Sequence, residues 1–364
     1  SAVAWNPPSV DPLALLDETR HLPVIDVRSP GEFEKGHIPG ALNVLIFDVC
    51  ERAEIGTVYK RQGQAAAIAL GLEFSQSKVD QYVNSVRRIT NGSSVRVHCW
   101  RGGMRSRGFS WLLAEDGFHP EILQGGYKAY RRAVQASFGD PLPIVILSGL
   151  SGAGKSRMLE LLRREGEQVI DLEGLAKHRG SAFGGLGQPF QPTVKQFENA
   201  LFDRIRKLDS SRPVWLEDEC QAIGKVRIPQ SLWQQMRDAP AVFLDAPRPA
   251  RVQLLIEEYG ALSTADLASA TDSILRRLGG ARWKAAREAL EADNRVACAG
   301  ILLDYYDKSY LHAAQKRPRA DVTKIFMPSP ADKRTLPELK EISALLLKSQ
   351  SKSARHATTL RVDR

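Results

Sequence analysis

Cysteine is scarce in this chain, with four in 364 residues: Cys50, Cys99, Cys220 and Cys298. They are widely spaced and form no Cys-x-x-Cys pair, which argues against a disulfide framework or a zinc ribbon and for a reducing compartment. No metal-ligand set is legible in the spacing. Aromatic residues make up only 7%. No apolar run is long enough to span a bilayer, and no signal-like segment opens the sequence, so a cytoplasmic protein without a membrane partner is expected. What is present is ordinary for a globular protein, at 43% hydrophobic and 26% charged, with length enough for two domains.

The net charge of +9 is uneven. Residues 1–140 carry 16 basic and 15 acidic side chains, whereas 141–364 carry 35 and 27. Positive charge gathered in one half points to a polyanionic partner, with nucleic acid ahead of membrane because no amphipathic anchor accompanies it. Many basic surfaces only confer solubility, so charge alone decides little.

The most informative stretch is 98–106, His-Cys-Trp-Arg-Gly-Gly-Met-Arg-Ser. The β-branched run 95–97 predicts a strand ending at Cys99, and the pattern 109–113 predicts a helix after Ser106. A strand, a Gly-rich loop and a helix start therefore surround one thiol. Loop amides and the helix dipole favour an anion there, and Arg101 and Arg105 add cations. Such surroundings favour the thiolate, which is the nucleophilic form. A cysteine ending a strand is otherwise usually a core residue; here the glycines and arginines point to chemistry at Cys99. The remaining loop positions, Trp100, Gly102, Gly103, Met104 and Ser106, are candidates to shape the anion site. Arg105 stands six positions after Cys99, a Cys-x5-Arg spacing with room for a tetrahedral phosphorus, although a harmless insertion would read the same way.

Around this loop, short strands alternate with turns and helices, beginning with a short helix at 13–16 and a strand at 24–27, which predicts a parallel α/β sheet. The segments DVRSPGEFEKGHIPGALN (26–43), the cysteine loop and LQGGYKAYRRAV (123–134) together resemble the rhodanese family over about residues 10–138. The resemblance implies that Cys99 carries the transferred chalcogen and that Asp26 and Arg28 buttress its loop. It leaves His37 between a catalytic and a turn-stabilising role. Between these motifs, 51–71 is longer than a minimal rhodanese connection needs. Its Tyr59, Lys60 and Arg61 either meet a substrate or form a solvated turn.

A second start lies after Pro141-Leu142-Pro143. A buried strand at 144–147 runs into Gly149-Leu150-Ser151-Gly152-Ala153-Gly154-Lys155-Ser156 and then an apolar helix. This is a phosphate-binding P-loop in its required strand–loop–helix setting. The amides surround a phosphate, Lys155 supplies a point charge and Ser156 is placed for a metal ion. The motif reports a di- or triphosphate without proving hydrolysis. The strand 214–216 ends in Glu217 and Asp218, either of which could complete a metal–phosphate site, or be a solvated strand end. Asp171, Glu173, His178 and Arg179 gather at another strand's carboxyl end, where α/β sheets bind ligands. Beyond 250 the pattern is helical. Arg276, Arg277, Arg282 and Lys284, followed by Tyr305, Tyr306 and Tyr310, interleave cations with aromatics as RNA binding requires; a solvated face with buried tyrosines is the bland alternative.

The expected organisation is thus α/β, with a rhodanese-like domain (1–140), a P-loop core domain (141–250), a helical part packed on it (251–350) and a basic tail (351–364). With DLEGLAKHRGSAFGG (171–185), VWLEDE (214–219) and LLDYYDKSY (302–310) in order, the chain to about 325 resembles the tRNA 2-selenouridine synthase family. That resemblance implies wobble 2-thiouridine in the tRNAs for Lys, Glu and Gln as substrate, geranyl diphosphate and selenophosphate as co-substrates, and an S-geranyl intermediate. An enzyme supplying selenophosphate would be a further partner. Mg²⁺ fits such a P-loop, and ATP stays open at this level. The rival expectations are an ATP-dependent tRNA sulfurtransferase and an RNA-binding NTPase with a docking rhodanese module.

Overall fold

The computed structural model describes residues 7–13, 22–316 and 321–346. The helix expected at 13–16 and the basic tail therefore fall largely outside the described residues. The chain divides into two compact units, one of 1–138 with 198–206 and one of 139–197 with 207–364.

In the first unit, five parallel strands form one sheet: β1 (Ser9–Val10), β2 (Val24–Asp26), β3 (Leu42–Asn43), β4 (Ser94–His98) and β5 (His119–Leu123), in the order β1-β5-β4-β2-β3. Strand β4 is central and buried from Val95 onward, as a strand covered on both faces must be. Its neighbours hold it in register, with Asp26 opposite His98 and Val97 opposite Ile122. Cys99 thus emerges at the carboxyl end of the middle strand. The helix Met104–Glu115 follows the loop, and its Phe109 and Leu113 pack into the core with Val86, Val95 and Val97. The long 51–71 connection belongs to two successive helices, Val49–Gln62 and Gln64–Gln76, separated at Gly63, whose φ of 89° breaks the first.

One contribution to this unit comes from far along the sequence. Glu198–Arg206 clusters with it, and the fully buried Asn199 explains how. The Asn199 amide donates to the His37 carbonyl at 2.7 Å and to the Tyr127 hydroxyl at 2.9 Å, and its oxygen accepts from Arg131 at 2.6 Å.

The second unit holds another parallel sheet: β6 (Ile144–Gly149), β7 (Gln168–Ile170), β8 (Val214–Glu217), β11 (Ala241–Asp245) and β12 (Val322–Phe326), with a small antiparallel hairpin of β9 (Ala222–Ile223) and β10 (Val226–Arg227). The sheet order is β12-β11-β6-β8-β7. Every residue of β6 is buried. Chain order reverses on either side of β6, so the crevice at its carboxyl end is the topological switch point where α/β sheets take ligands, and the P-loop begins there. Trp215, Leu147, Met158 and Met327 fill the core beneath. The region beyond 250 was expected to be helical from its pattern, and the structure corrects this: β12 returns to extend the sheet beside β11. At five residues, VTKIF was too short to read as a strand within a helical stretch, and only Ile325 of it is buried. Helices Arg248–Tyr259, Thr264–Ser273, Gly280–Glu291 and Arg295–Lys316 form a second apolar cluster around Leu267, Leu278 and Leu290. Among the described residues, no helix is long and apolar enough to cross a membrane.

Candidate functional site

In the first unit the site is built around Cys99, which is 3% exposed. Its Sγ lies 3.3 Å from the Ser106 hydroxyl, which in turn donates to the Gly103 carbonyl at 2.9 Å. Burial acts to raise the thiol pKa. Ser106, the Arg105 guanidinium and the backbone N–H groups of Ser106 and Arg101 together reverse this and hold it below the ordinary thiol value. The pocket is therefore buried but polar, which separates it from an inert core cysteine. Arg101 acts here through its amide, because its side chain is exposed; the sequence had offered that side chain as a cation. Arg105 is the cation facing the thiol, with Glu32 as its partner at 3.2 Å.

The loop is fixed from below. Tyr127 donates its N–H to the Cys99 carbonyl at 3.0 Å and Lys128 to that of Trp100 at 2.9 Å. Gly126 has φ of 60°, and a Cβ there would overlap the Cys99 carbonyl; only glycine permits this approach. Trp100 leans on Tyr127, with ring centroids 5.8 Å apart. Arg28 and Asp26 form a buried pair beneath, Nε to Oδ1 at 2.9 Å, with the Arg28 guanidinium 4.0 Å from the centre of the Tyr127 ring. Burial acts to raise the Asp26 pKa, and His98 and Arg28 overcome it and leave the carboxyl low. His98, wholly buried, is pushed below the ordinary imidazole value by burial, with Asp26 acting against the shift. His37 stacks flat on Phe33 at 3.9 Å and bonds its carbonyl, an arrangement suited to holding a turn. Met104 stands exposed at the loop's outer edge.

In the second unit the P-loop lines a cavity of about 470 Å³. Gly149, Ser151, Gly152, Gly154, Lys155 and Ser156 form its phosphate end, while Ala153 is wholly buried behind it. Gly152 has φ of 76°, and a Cβ there would lie 2.6 Å from the Arg251 carbonyl. Arg251 braces the loop through the Ser151 carbonyl at 3.1 Å and pairs with Asp307. Lys155 lies 3.5 Å from Glu217. Burial acts to lower its pKa, and Glu217, Glu219 and Glu173 more than offset that, so it remains a cation.

The acids sort by the alternation of an extended chain. Glu217 turns to Ser156, 3.0 Å away, and Glu219 joins it. Asp218, between them, lines the same cavity but has other partners, accepting from Ser148 at 2.9 Å and from Tyr310 at 3.2 Å. Glu173, Glu217 and Glu219 bring carboxylate oxygens within 4.8 Å of one another, a set that could hold a metal ion. Burial and then Glu217 raise Glu173 to about 8, and burial with the same neighbours pushes Glu219 well above its ordinary value. Three acids crowded so that they resist ionising together would be relieved by a divalent cation. Glu219 was missed in the sequence, although the run Glu217-Asp218-Glu219 and period-two alternation contained the signal.

Of the other strand-end candidates, Glu173 and Arg179 line the cavity, and Arg179 lies over Tyr259 at 5.3 Å. Asp171 instead caps the helix Leu172–Ala176, accepting from Gly174 at 2.8 Å. His178 accepts from the Gly180 amide at 3.1 Å. The tyrosines are also reassigned. Tyr305, Tyr306 and Tyr310 line the P-loop cavity, and Tyr305 and Tyr306 pack on the helical core, so they do not form an open stacking surface with the arginines. Arg276, Arg277, Arg282 and Lys284 are exposed, with Arg277 at the cavity edge. Leu254, Leu267, Leu290, Leu302 and Leu303 also line the cavity, together with Tyr259 and Arg295.

Fold and sites together define a rhodanese unit joined to a P-loop unit. Comparison with known proteins agrees: 10–133 match the rhodanese-like domain and 142–326 match the tRNA 2-selenouridine synthase AAA domain. Proteins called tRNA 2-selenouridine synthase are similar along most of the chain. That of Nitrosomonas europaea is 31% identical, covering 81% of this chain and 90% of its own. That of Sulfurovum sp. is 33% identical, covering 79% and 87%, and that of Salmonella typhi 37% identical, covering 81% and 90%. The chain belongs to the tRNA 2-selenouridine synthase family, and it is an enzyme.

Proposed function

We propose that this enzyme converts wobble 2-thiouridine to 2-selenouridine in two steps, in the tRNAs for Lys, Glu and Gln. In the first, the base sulfur attacks the prenyl carbon of geranyl diphosphate; a C–S bond forms, the C–O bond breaks and diphosphate leaves. Lys155 and the P-loop amides would bind the diphosphate and stabilise charge as it departs. Glu173, Glu217 and Glu219 would hold Mg²⁺, which supplies further charge neutralisation when bound. In the second, selenium from selenophosphate attacks C2 of the base. The C2–Se bond forms, the C2–S pair leaves with geranylthiolate, which takes a proton, and water cleaves P–Se to release phosphate. Alkylation makes the sulfur a competent leaving group. Cys99, Arg105 and the loop amides would bind selenophosphate and orient its selenium toward C2.

The observation that carries this reading is the cavity of the second unit. A phosphate loop and several aliphatic side chains lining one cavity suit a diphosphate bearing an aliphatic chain. That pairing is why geranyl diphosphate is proposed as the occupant. Exposed Arg276, Arg277, Arg282 and Lys284 would meet tRNA phosphates. An enzyme that makes selenophosphate would supply the second site.

The test is nucleoside mass spectrometry of thiolated tRNA incubated with geranyl diphosphate, with and without selenophosphate. Cys99→Ala is expected to accumulate S-geranyl-2-thiouridine, and Lys155→Ala to make none. Modification driven by ATP with no geranylated base would replace this reading with the sulfurtransferase.

A further inference from the structure

The first unit contains a second cavity, of about 370 Å³, that neither the thiol loop nor the P-loop explains. It lies among the helices Val49–Gln62, Gln64–Gln76 and Met104–Glu115. Phe47, Ile55, Ile68 and Phe109 line it. The added helices of the long 51–71 connection build much of its wall, and one rim residue, Tyr59, is 57% exposed. Leu72 and Met104 are also exposed at the cavity. Large apolar groups left uncovered around an apolar hollow mark a binding site for an apolar ligand.

Arg105 ties this cavity to the thiol: it lines the hollow and it is also the guanidinium that lowers the Cys99 pKa. Met104, the residue before it, stands at the same mouth and accepts a hydrogen bond from Gln64 at 3.4 Å. A ligand whose polar reacting end sits at Cys99 would therefore extend any apolar substituent into this hollow. We infer that the cavity holds the S-alkyl chain of the base, an acyclic isoprenoid, while its C2 is attacked at the Cys99 loop. This rests on the proposed two-step function and adds what that reading left open, namely how the second unit of chemistry selects alkylated base over free thiouridine. The chain's burial would be the specificity element, and the bare C2 thiocarbonyl of free thiouridine would gain nothing from it.

The experiment uses the full-length enzyme and anticodon stem–loop RNAs carrying 2-thiouridine or preformed S-geranyl-2-thiouridine. Ile68→Phe fills the cavity, and Leu72→Gln makes its rim polar at an exposed position where folding is not at risk. Both half-reactions are followed, together with fluorescence anisotropy of each RNA. The expected result is a KM for selenation of the geranylated RNA raised about tenfold with kcat held, loss of the anisotropy preference for that RNA, and unchanged geranyl transfer. A KM-only effect is the signature of lost ground-state binding. Unchanged KM and preference in both variants would overturn the pocket assignment, as would equal loss of both half-reactions. Failure of the underlying function looks different: the wild-type enzyme would then neither form nor consume the geranylated base.

Discussion

Arg105 donates from Nη1 to Oε2 of Glu32 at 3.2 Å while its charge acts on the Cys99 thiol. The cation that acts to lower the Cys99 pKa is therefore itself held in place by a carboxylate. Burial acts to raise Glu32, and Arg105 with Ser29 and Arg52 brings it below its ordinary value, so it is an anion at neutral pH. Glu32 both orients the guanidinium and offsets part of its field.

This sets the pH dependence of thiol reactivity. A depressed thiol pKa means that thiolate persists to lower pH, so alkylation of Cys99 by iodoacetamide should have a midpoint below that of ordinary cysteine. Arg105→Met is expected to move the midpoint up by about 1 pH unit, the scale of one nearby opposite charge. Glu32→Gln should move it down. Peptide mass spectrometry separates Cys99 from the exposed Cys50 and Cys220. An unshifted midpoint in Arg105→Met would remove Arg105 from this role.

The Asp26–Arg28 pair beneath the loop predicts a stability effect. Burial opposes the Asp26 charge, and His98 and Arg28 win, leaving the carboxyl depressed. Its contribution is therefore present above the unfolded carboxylate pKa and is lost as pH falls through the lower folded value. Asp26→Asn leaves Arg28 buried without its counter-ion and should cost about 3–5 kcal/mol at neutral pH, read from urea unfolding followed by tryptophan fluorescence. The gap to wild type should narrow in acid. An equal gap at every pH would mean that shape, and not charge, is what Asp26 supplies.

What the sequence made legible follows the reach of local signals. Cys99 and the P-loop declare themselves because a strand, a Gly-rich loop and a helix start are contiguous, and hydrophobic pattern, glycine and capping all act within a few residues. Asn199 was invisible, because a buried amide that joins His37, Tyr127 and Arg131 is defined by tertiary contact alone. The tyrosines at 305, 306 and 310 misled for the same reason: cation–aromatic interleaving describes an exposed RNA face and a helix lining a cavity equally well. Strand β12 was hidden by its brevity, five residues within a helical stretch. Glu219 is the instructive case, since strand alternation alone would have set it beside Glu217 and sent Asp218 elsewhere.

That alternation can be tested by metal dependence. Glu219→Gln removes one of the three clustered carboxylates and should raise the Mg²⁺ concentration for half-maximal geranyl transfer about tenfold, because ligand charge count tunes such sites. Asp218→Asn should leave the Mg²⁺ requirement in place, since its bonds run to Ser148 and Tyr310. Equal effects of the two substitutions would place both carboxylates on the ion and refute the sorting.

The rigidity of the thiol loop rests on the smallest side chain near it. Gly126 holds φ of 60° under the Cys99 carbonyl, and the adjoining Tyr127 amide completes the contact at 3.0 Å. An added methyl group must push the loop away from the helix Gly126–Ser137, which shifts the Arg101 and Ser106 amides off Sγ. Gly126→Ala is accordingly expected to slow selenation by about 100-fold, the cost of a misplacement near 1 Å, and to raise the midpoint for Cys99 alkylation. Geranyl transfer, which the proposed function assigns to the other unit, should keep its wild-type rate. If Gly126→Ala slows both half-reactions alike, the loop is not the locus of the second step. If it slows neither, the amides aimed at Sγ are not what makes Cys99 reactive.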